Sequence, residues 1–377
     1  MSQINKNTQA FFALIRAGLW EKGNENFNTN DNINKDVDWG KVYQLAGEQS
    51  VQGLALAGIE KTNTNRPPQE LLLQWIGEVQ MIEQQNKAMN GFEAKLIEKL
   101  READVYAILV KGQGIAQCYV RPLWRLSGDV DLLLSDVNYE KAKKVLFPLA
   151  VEIEQEYKSF KHISMTMKGG YVIELHGTLH SRLSKRVDRG VDEAQKDVFY
   201  GGNVRSWKNG STQVFLPGVD DDVIFVFTHI LHHFYIEGIG LRQICDWCRL
   251  LWTYRDSVNR GLLESRLREM SLMTEWKAFA ALAVDWLGMP TEAMPLYSSD
   301  KKWSKKAEKI FDFVLETGNF GHNREKKVVR TYMGGKLAST FRKMKDFGHH
   351  MRIFPIDSVK FFCYFAVDGV RGVMRGE

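Results

Sequence analysis

The sequence has little cysteine and no long apolar run. Four cysteines in 377 residues are too few for a disulfide framework, which favours a reducing compartment, and we expect a cytoplasmic protein. No apolar run approaches the ~20 residues of a membrane helix, and the opening residues lack the pattern of a signal peptide. We therefore expect no transmembrane segment. Cys245 and Cys248 form a C-x-x-C without a second pair, so we interpret them as packing residues of a helix.

The chain also lacks a strong charge bias. Its net charge of +5 is mildly basic and does not by itself predict nucleic-acid binding. Residues 324–352 depart from this balance, because nine Lys or Arg stand there against Glu325 and Asp346. This basic segment could contact nucleic acid, but we favour the simpler interpretation of a solvated helical tail. With 44% apolar and 26% charged residues, the composition is that of a folded globular protein.

The spacing of apolar residues divides the chain into three regions. Residues 1–100 and 218–377 show helical spacing, whereas residues 101–217 carry short runs typical of strands. The predicted strands are Val105–Val110, Asp129–Leu134, Phe160–Met167, Tyr171–His176 and Thr212–Leu216, with a hairpin turn at Gly169-Gly170. The polar stretch 179–208 is expected to be rich in loops. The predicted fold class is therefore α/β (α+β), with a small mixed sheet flanked by N-terminal and C-terminal helical regions.

Two carboxylates stand one residue apart on the second predicted strand. Side chains at i and i+2 of a strand point to the same face, so Asp129 and Asp131 lie together. They repel each other unless a cation lies between them, and a divalent ion is the usual solution. Glu174 is a third carboxylate, presented by a neighbouring strand with His176 on the same face. His176 could support the site, bind a metal, or simply pack at the end of the sheet.

Several motifs around these carboxylates resemble those of a known family. They are Lys111-Gly112, then Tyr119, Pro122 and Arg125, then Gly128-Asp129-Val130-Asp131-Leu132-Leu133, and later Glu174-Leu175-His176, His229, Leu241-Arg242-Gln243-Ile244-Cys245-Asp246 and Phe320-Gly321. Their order resembles the nucleotidyltransferase fold of the polymerase-β superfamily, and most closely its uncharacterised nucleotidyltransferase family. The resemblance covers roughly residues 39–321. One departure is Gln113, which follows Gly112 where the superfamily usually has Ser or Gly.

This resemblance implies a metal-dependent nucleotidyltransferase, which moves a nucleoside monophosphate from an NTP to an acceptor and releases pyrophosphate. Two Mg²⁺ (or Mn²⁺) ions would align the attacking and leaving oxygens. Asp129 and Asp131 would bind both ions, and Glu174 would complete the site of the ion that activates the acceptor. These three residues are the predicted catalytic groups and metal ligands, with His176 as a further candidate ligand.

The same resemblance suggests which residues bind the nucleotide. Gly112 allows the backbone to approach a phosphate, and Gln113 and Gly128 belong to the same motifs. Lys111 could supply positive charge, although we expect it to be turned from the nucleotide, since glycine is the residue that the fold needs there. Arg125 could bind phosphate or pair with Asp129 or Asp131.

Two further pairs of residues leave alternatives open. Arg242 and Asp246 stand at i and i+4 and most simply form a helix salt bridge, but Arg242 could also reach the nucleotide. His229 and His233 have a spacing that suits zinc, yet the second residue of an H-E-x-x-H is missing, so we do not expect a metal there.

The acceptor cannot be identified from the sequence: it could be a small molecule, a protein or RNA. A tRNA-end polymerase is disfavoured, because the chain lacks a basic tRNA-binding expansion apart from the basic segment. The alternative function is a catalytically silent module for nucleotide sensing or protein interaction. Since all three carboxylates are present, catalysis is the interpretation that we favour.

Overall fold

Four helices precede the central sheet. The computed structural model describes residues 5–20, 36–62, 65–158, 160–319 and 332–375. Its first helices are α1 (Lys6–Leu19), α2 (Trp39–Glu48), α3 (Gln52–Lys61) and α4 (Gln69–Glu102). Asn5 and Asp38 begin α1 and α2 by accepting hydrogen bonds from backbone N–H groups. The long helix α4 starts directly after Pro67 and Pro68, as the position of these prolines predicts.

The sheet is mixed and has seven strands. They are β1 (Ile108–Val110), β2 (Asp129–Leu133), β3 (Ala150–Ile153), β4 (His162–Met167), β5 (Val172–His176), β6 (Val204–Asn209) and β7 (Thr212–Pro217), in the spatial order β3-β4-β5-β2-β1-β7-β6. β2 runs parallel to β5 and β1 runs parallel to β7, and the other neighbours are antiparallel. The predicted α/β class with a mixed sheet is confirmed, with β3 and β6 added to the predicted strands. A short helix, α5 (Gly112–Ala116), follows β1.

The two faces of the sheet differ in chemistry. On one face Val130, Leu132 and Leu134 pack in an apolar core with α4 and with α6 (Asp136–Leu146). On the opposite face of β2, alternation places Asp129, Asp131 and Leu133. Leu133 joins a second core that contains helices from both ends of the chain. The polar part of this face is therefore confined to the end of β2 that carries the aspartates.

The prediction of a loop-rich stretch at residues 179–208 is wrong. It contains α7 (Lys185–Tyr200) and the start of β6. Ser184 caps this helix, and its apolar positions Val187, Val191, Ala194 and Val198 form one buried stripe. The stripe is narrow and the other faces are charged, so the average polarity of the stretch conceals the helical period.

Helices again dominate after the sheet. They are α8 (Val219–Ile236), α9 (Leu241–Thr253), α10 (Arg260–Met270), α11 (Met273–Asp285), α12 (Lys301–Thr317), α13 (Tyr332–Ile353) and α14 (Pro355–Arg375). No described helix is long and apolar enough to cross a membrane. Cys245 and Cys248 are buried in α9 as free thiols. Phe320-Gly321 and residues 324–331 of the basic segment lie outside the described residues.

Candidate active site

A cleft opens between the polar face of the sheet and helices α8 and α9. It encloses about 430 Å³, within the range of small-molecule sites. Asp129, Asp131 and Glu174 lie on its floor, and His229 and Arg242 line the helical wall. The two walls come from chain segments far apart in sequence, so only the tertiary fold creates this space.

The three predicted carboxylates meet on the floor of this cleft. The parallel register of β2 and β5 pairs Asp131 with Glu174 directly. One oxygen from each of Asp129, Asp131 and Glu174 lies within 4.8 Å of the others. Asp131 is only 3% exposed, whereas Asp129 and Glu174 are half-buried. The strand alternation thus places three oxygen ligands around one point, as the sequence predicts.

The Lys111 side chain lies at the acidic floor of the cleft, and whether it is turned from a bound nucleotide stays a prediction. Its Nζ atom lies 2.8 Å from Oδ1 of Asp131. Lys111 follows β1 with a φ of 57°, and Gly112 continues the left-handed turn with a φ of 39°. The three acidic side chains attract an ammonium group strongly at this depth, which explains the position of the Lys111 side chain. Burial lowers the pKa of Lys111, but the carboxylates outweigh it and keep the side chain charged.

Two histidines flank the carboxylates. Nε2 of His176 lies 2.8 Å from Oδ1 of Asp131 and 3.4 Å from Oε2 of Glu174. Nε2 of His162 lies 3.3 Å from the same Glu174 oxygen. His162 was not singled out from the sequence. Its position opposite His176 in the β4–β5 register brings it here.

The acidic groups respond differently to their surroundings. The neighbouring Asp131 carboxylate and burial raise the pKa of Asp129 to about 6. Burial raises the pKa of Glu174, but hydrogen bonds from His162 and His176 outweigh it, so this pKa lies well below its ordinary value. Burial lowers the pKa of His176, and its bonds to Asp131 and Glu174 reverse that effect and raise it. The cluster therefore combines a repelled carboxylate with a strongly stabilised one.

Arg125 pairs with an aspartate, but with Asp246 of α9 rather than with Asp129 or Asp131. Its Nε and Nη2 atoms donate to the two Asp246 oxygens at 2.9 and 2.7 Å. The Tyr119 hydroxyl donates to the same carboxylate at 2.7 Å. Nη1 donates to the Leu126 carbonyl and to Ser127 Oγ. These bonds tie the segment before β2 to the helical wall, an arrangement that depends on how α9 packs. A role for Arg125 in nucleotide binding stays a prediction.

The glutamine after Gly112 points away from the cleft. Gln113 is buried, and its Nε2 donates to Oδ1 of Asn86 at 3.0 Å. Asn86 in turn donates to the carbonyls of Leu123 and Arg125. Gln113 is not among the described residues that line the cleft. Its side chain therefore holds the loop to Asn86 of α4, and a role for Gln113 in nucleotide binding stays a prediction.

Arg242 and the two predicted glycines do lie at the cleft. Arg242 donates to the Leu126 carbonyl at 2.7 Å, and burial and Arg125 lower its pKa. Gly112 packs beside the Asp129 carbonyl, where an added Cβ would lie 3.5 Å from that oxygen. Gly128 has open space on its Cβ side. These residues leave room for a ligand next to the acidic floor.

A histidine pair forms part of the helical wall. Nε2 of His233 lies 3.0 Å from Nε2 of His229, and Nδ1 of His233 lies 2.8 Å from a Glu237 oxygen. Burial lowers the pKa of both histidines. Neither belongs to a described group of three or more close metal-binding side chains.

Aromatic residues occupy the rim near His162. The rings of Tyr157 and Phe160 stack with centroids 5.2 Å apart, and the Arg182 guanidinium lies 4.8 Å from the Phe160 centroid. All three line the cleft. None of the three was predicted from the sequence as a site residue. An aromatic residue in a loop gives no signal until the fold brings it to a cleft.

The donor set fits a divalent cation. Oxygen atoms of carboxylates are the ligands that Mg²⁺ prefers, and Asp129, Asp131 and Glu174 offer one each within 4.8 Å. The crowding of Asp129 and Asp131 is the situation that a bound ion relieves.

Comparison with known proteins identifies one match. The sequence model of a family described as "Uncharacterised nucleotidyltransferase" matches residues 35–288. These residues include all strands of the sheet and the helices α8 and α9 of the cleft wall. No curated protein and no solved structure matches the chain.

Proposed function

The chain belongs to the uncharacterised nucleotidyltransferase family, and from this premise we propose that it transfers a nucleoside monophosphate from an NTP to an acceptor, with release of pyrophosphate. The observation that carries the proposal is the convergence of Asp129, Asp131 and Glu174, whose oxygens lie within 4.8 Å of one another in a cleft of ligand size. Such clusters bind the divalent ions that phosphoryl chemistry needs. The fold relationship to the polymerase-β superfamily is part of this proposal.

The three carboxylates are proposed to hold Mg²⁺ or Mn²⁺, two ions in total. When bound, these ions neutralise the triphosphate and lower the pKa of the acceptor hydroxyl. Asp129 and Asp131 would bind both ions from β2, while Glu174 would orient the second from β5. The chain's own contribution is to keep these oxygens in place, and the direct pairing of β2 with β5 does this.

The positive groups of the cleft are proposed to bind the triphosphate. Lys111 is held by Asp131 and could exchange that carboxylate for a phosphate oxygen when metal binds. Arg242 lies on the opposite wall, and Gly112 and Gly128 let the backbone approach. Arg125 is proposed to act by positioning, since Asp246, Leu126 and Ser127 already accept from it.

The aromatic rim is proposed to hold the base. Tyr157 and Phe160 offer flat apolar faces beside the cleft, and stacking on aromatic rings stabilises nucleobases of any kind. This arrangement favours binding of an NTP without indicating which one. The acceptor, whether a small molecule, a protein or RNA, is not named by the proposal.

The predicted organisation and location remain part of the proposal. The boundaries 1–100, 101–217 and 218–377 stay a prediction. A cytoplasmic location is proposed on the four free cysteines. For the described part of the basic segment, the prediction of a solvated helical tail is corrected, because His350 is buried against Phe234 and Phe313. We propose that this helix packs on the body of the protein rather than on nucleic acid.

Binding and transfer can be tested without knowing the acceptor. ATP, GTP, CTP and UTP are titrated into the full chain with and without Mg²⁺, and into the variant Asp129→Ala/Asp131→Ala. We expect metal-dependent binding of at least one nucleotide, lost in the variant. The preferred nucleotide is then supplied to a cell extract with label on the α- or the γ-phosphate. Nucleotidyl transfer deposits only the α-label on the acceptor.

Two outcomes would contradict the proposal. Transfer of the γ-label would indicate a phosphotransferase. Unchanged metal-dependent binding in the double variant would exclude the carboxylates from the site. Glu152→Gln, which neutralises an exposed carboxylate on β3, is the matched control.

A further inference from the structure

A second set of possible metal ligands adjoins the three carboxylates and shares one of them. It consists of His162, Glu174 and His176, whose ligand atoms lie within 4.8 Å of one another. All three come from the antiparallel pair β4 and β5. In its register His162 faces His176, and Glu174 stands two residues before His176 on the same face. Two hydrogen-bonded strands therefore hold the three side chains, which limits how far they can move apart.

Two of the three distances among these ligand atoms match a tetrahedral ion. Oε2 of Glu174 lies 3.3 Å from Nε2 of His162 and 3.4 Å from Nε2 of His176. Zinc binds nitrogen and oxygen ligands at about 2.0–2.1 Å, so neighbouring ligands of a tetrahedral zinc ion are about 3.3–3.4 Å apart. Octahedral Mg²⁺ places adjacent ligands closer, at about 2.9 Å. The spacing around Glu174 is thus the wider, tetrahedral one.

The donor chemistry points the same way. Imidazole nitrogen suits zinc and its neighbours in the first transition series, whereas Mg²⁺ prefers oxygen. Two histidines and one glutamate are also the ligand set of catalytic zinc sites that keep a fourth position open. His162 and His176 both line the cleft, so the open position would face the bound substrate.

We propose that His162, Glu174 and His176 bind one tetrahedral divalent transition-metal ion of the zinc type, beside the oxygen ligands of Asp129 and Asp131. Binding of this ion does not depend on the proposed function; only its role on the acceptor side rests on that function. The cleft then holds two different sites that share Glu174. One prefers a hard ion that accompanies the triphosphate, and the other a nitrogen-binding ion.

The competing explanation is that the two imidazoles only donate hydrogen bonds to carboxylates. His176 lies 2.8 Å from Asp131 as well, and such contacts would stabilise the acidic cluster without any metal. The two explanations differ in whether the imidazole nitrogens contact an added ion. A spectroscopic probe of the ion itself separates them.

Cobalt provides this probe, because tetrahedral Co²⁺ absorbs visible light far more strongly than octahedral Co²⁺. The full chain is stripped with a chelator and titrated with Co²⁺ without nucleotide, and Zn²⁺ is then added as a competitor. We expect tetrahedral bands at one equivalent, displaced by Zn²⁺. In His162→Ala the affinity should fall at least tenfold, by analogy with other metal-site substitutions.

Two variants control for the fold and for non-specific binding. His180 lies in the same cleft, with Nε2 2.7 Å from Asp192 and outside the proposed ligand set, so His180→Ala should bind Co²⁺ like the wild type. His162→Cys replaces the nitrogen ligand by a thiolate. It should retain Co²⁺ and add a sulfur-to-cobalt charge-transfer band, which a merely structural histidine cannot produce.

The outcomes separate this inference from the proposed function. Absence of tetrahedral bands in the wild type, or the same affinity in His162→Ala, would overturn the inference even if Mg²⁺–NTP binding is found. Tetrahedral bands in Asp129→Asn, a variant expected to lose Mg²⁺–NTP binding, would support it. The same bands in a wild-type chain that binds no NTP would sustain the metal site while the proposed function fails.

Discussion

Buried carboxylates occur in two contrasting settings in this molecule. In the cleft, Asp131 and Glu174 are surrounded by Lys111, His162 and His176. In the core between α4 and the sheet, Glu93 is fully buried, and neither of its oxygens has a hydrogen-bond partner among the described residues. Burial raises the pKa of Glu93 to about 8. The cleft carboxylates are thus compensated, which means that cations and hydrogen-bond donors offset their burial, whereas Glu93 is not.

Glu174 is half-buried and Glu93 is fully buried, but the larger difference lies in the charged partners that surround each carboxylate. Hydrogen bonds and nearby cations keep Glu174 ionised despite its burial, so it is ready to bind a cation. Glu93 shares a helical face with Met89, Leu96 and Ile97 of the apolar core, and there the neutral form is favoured. Carboxylates with shifted pKa values are common at functional sites. In this molecule only the carboxylates of the cleft, which have charged and histidine partners around them, indicate a functional site.

The variant Asp129→Asn is expected to have the largest effect and tests whether the carboxylates of the cleft serve function rather than stability. We expect nucleotidyl transfer to fall by about a thousandfold, because a shared metal ligand is lost. Thermal stability at pH 7.5 should not fall, since the repulsion from Asp131 that raises the pKa of Asp129 to about 6 is removed. Pyrophosphate release and thermal unfolding measure the two effects. A large loss of stability would mean that Asp129 supports the fold instead.

Variants of Arg125 test whether the ion pair between Arg125 and Asp246, at the edge of the cleft, stabilises the fold. Arg125→Lys keeps the charge but loses the bidentate bond to Asp246, whose side chain and that of Arg125 are each 8% exposed. We expect a loss of about 2 kcal/mol in the free energy of unfolding, measured with urea. Asp246→Asn should destabilise by a similar amount, because it breaks the same pair.

Nucleotide binding distinguishes the two roles of Arg125. If the guanidinium only positions the loop, both variants should weaken NTP affinity equally. Selective weakening in Arg125→Lys, with normal affinity in Asp246→Asn, would show a direct phosphate contact.

The uncompensated carboxylate Glu93 is expected to make the free energy of unfolding depend on pH. Below about pH 4.5 Glu93 is protonated in both the folded and unfolded states. Between about 4.5 and 8 the unfolded state releases the proton while the folded state retains it, so stability falls as the pH rises. Glu93→Gln removes this loss. We expect its advantage over the wild type to grow from pH 5 to pH 8 by about 3 kcal/mol, since each unit of pKa difference corresponds to about 1.4 kcal/mol.

An exposed glutamate on the same helix provides the comparison. Glu98 lies on α4, one turn further along, near Arg101, and Glu98→Gln should show no such growth with pH. If thermal unfolding of Glu93→Gln follows the wild type at every pH, the burial of Glu93 is relieved by water or by local motion.

Much of the acidic floor of the cleft could be predicted because its sequence signals are local. Alternation along β2 places Asp129 and Asp131 together, and the strand that carries Glu174 has its own alternation. The partner of Arg125 could not be predicted in the same way. Asp246 lies 121 positions away, and nothing in the spacing distinguishes it from an aspartate that pairs within its own helix.

The position of His162 depends on a difference of one residue in the register of β4 and β5. A two-residue turn at Gly169-Gly170 would place Ile163 opposite His176 and turn His162 to the other face of the sheet. The observed register pairs His162 with His176 and Thr166 with Val172. The loop is thus one residue longer than the predicted two-residue turn, and this extra residue brings His162 to the face that carries Glu174.

The sequence by itself determined the acidic motif, the alternation of its strands and the helical character of both ends of the chain, because these depend on neighbours within a few residues. The tertiary structure alone decided that Lys111 reaches Asp131, that Arg125 is held by Asp246, and that two histidines meet at Glu174. Those contacts join segments whose approach depends on packing and on strand register. Burial then sets the strength of each charge, since an ion pair is stronger where water is excluded.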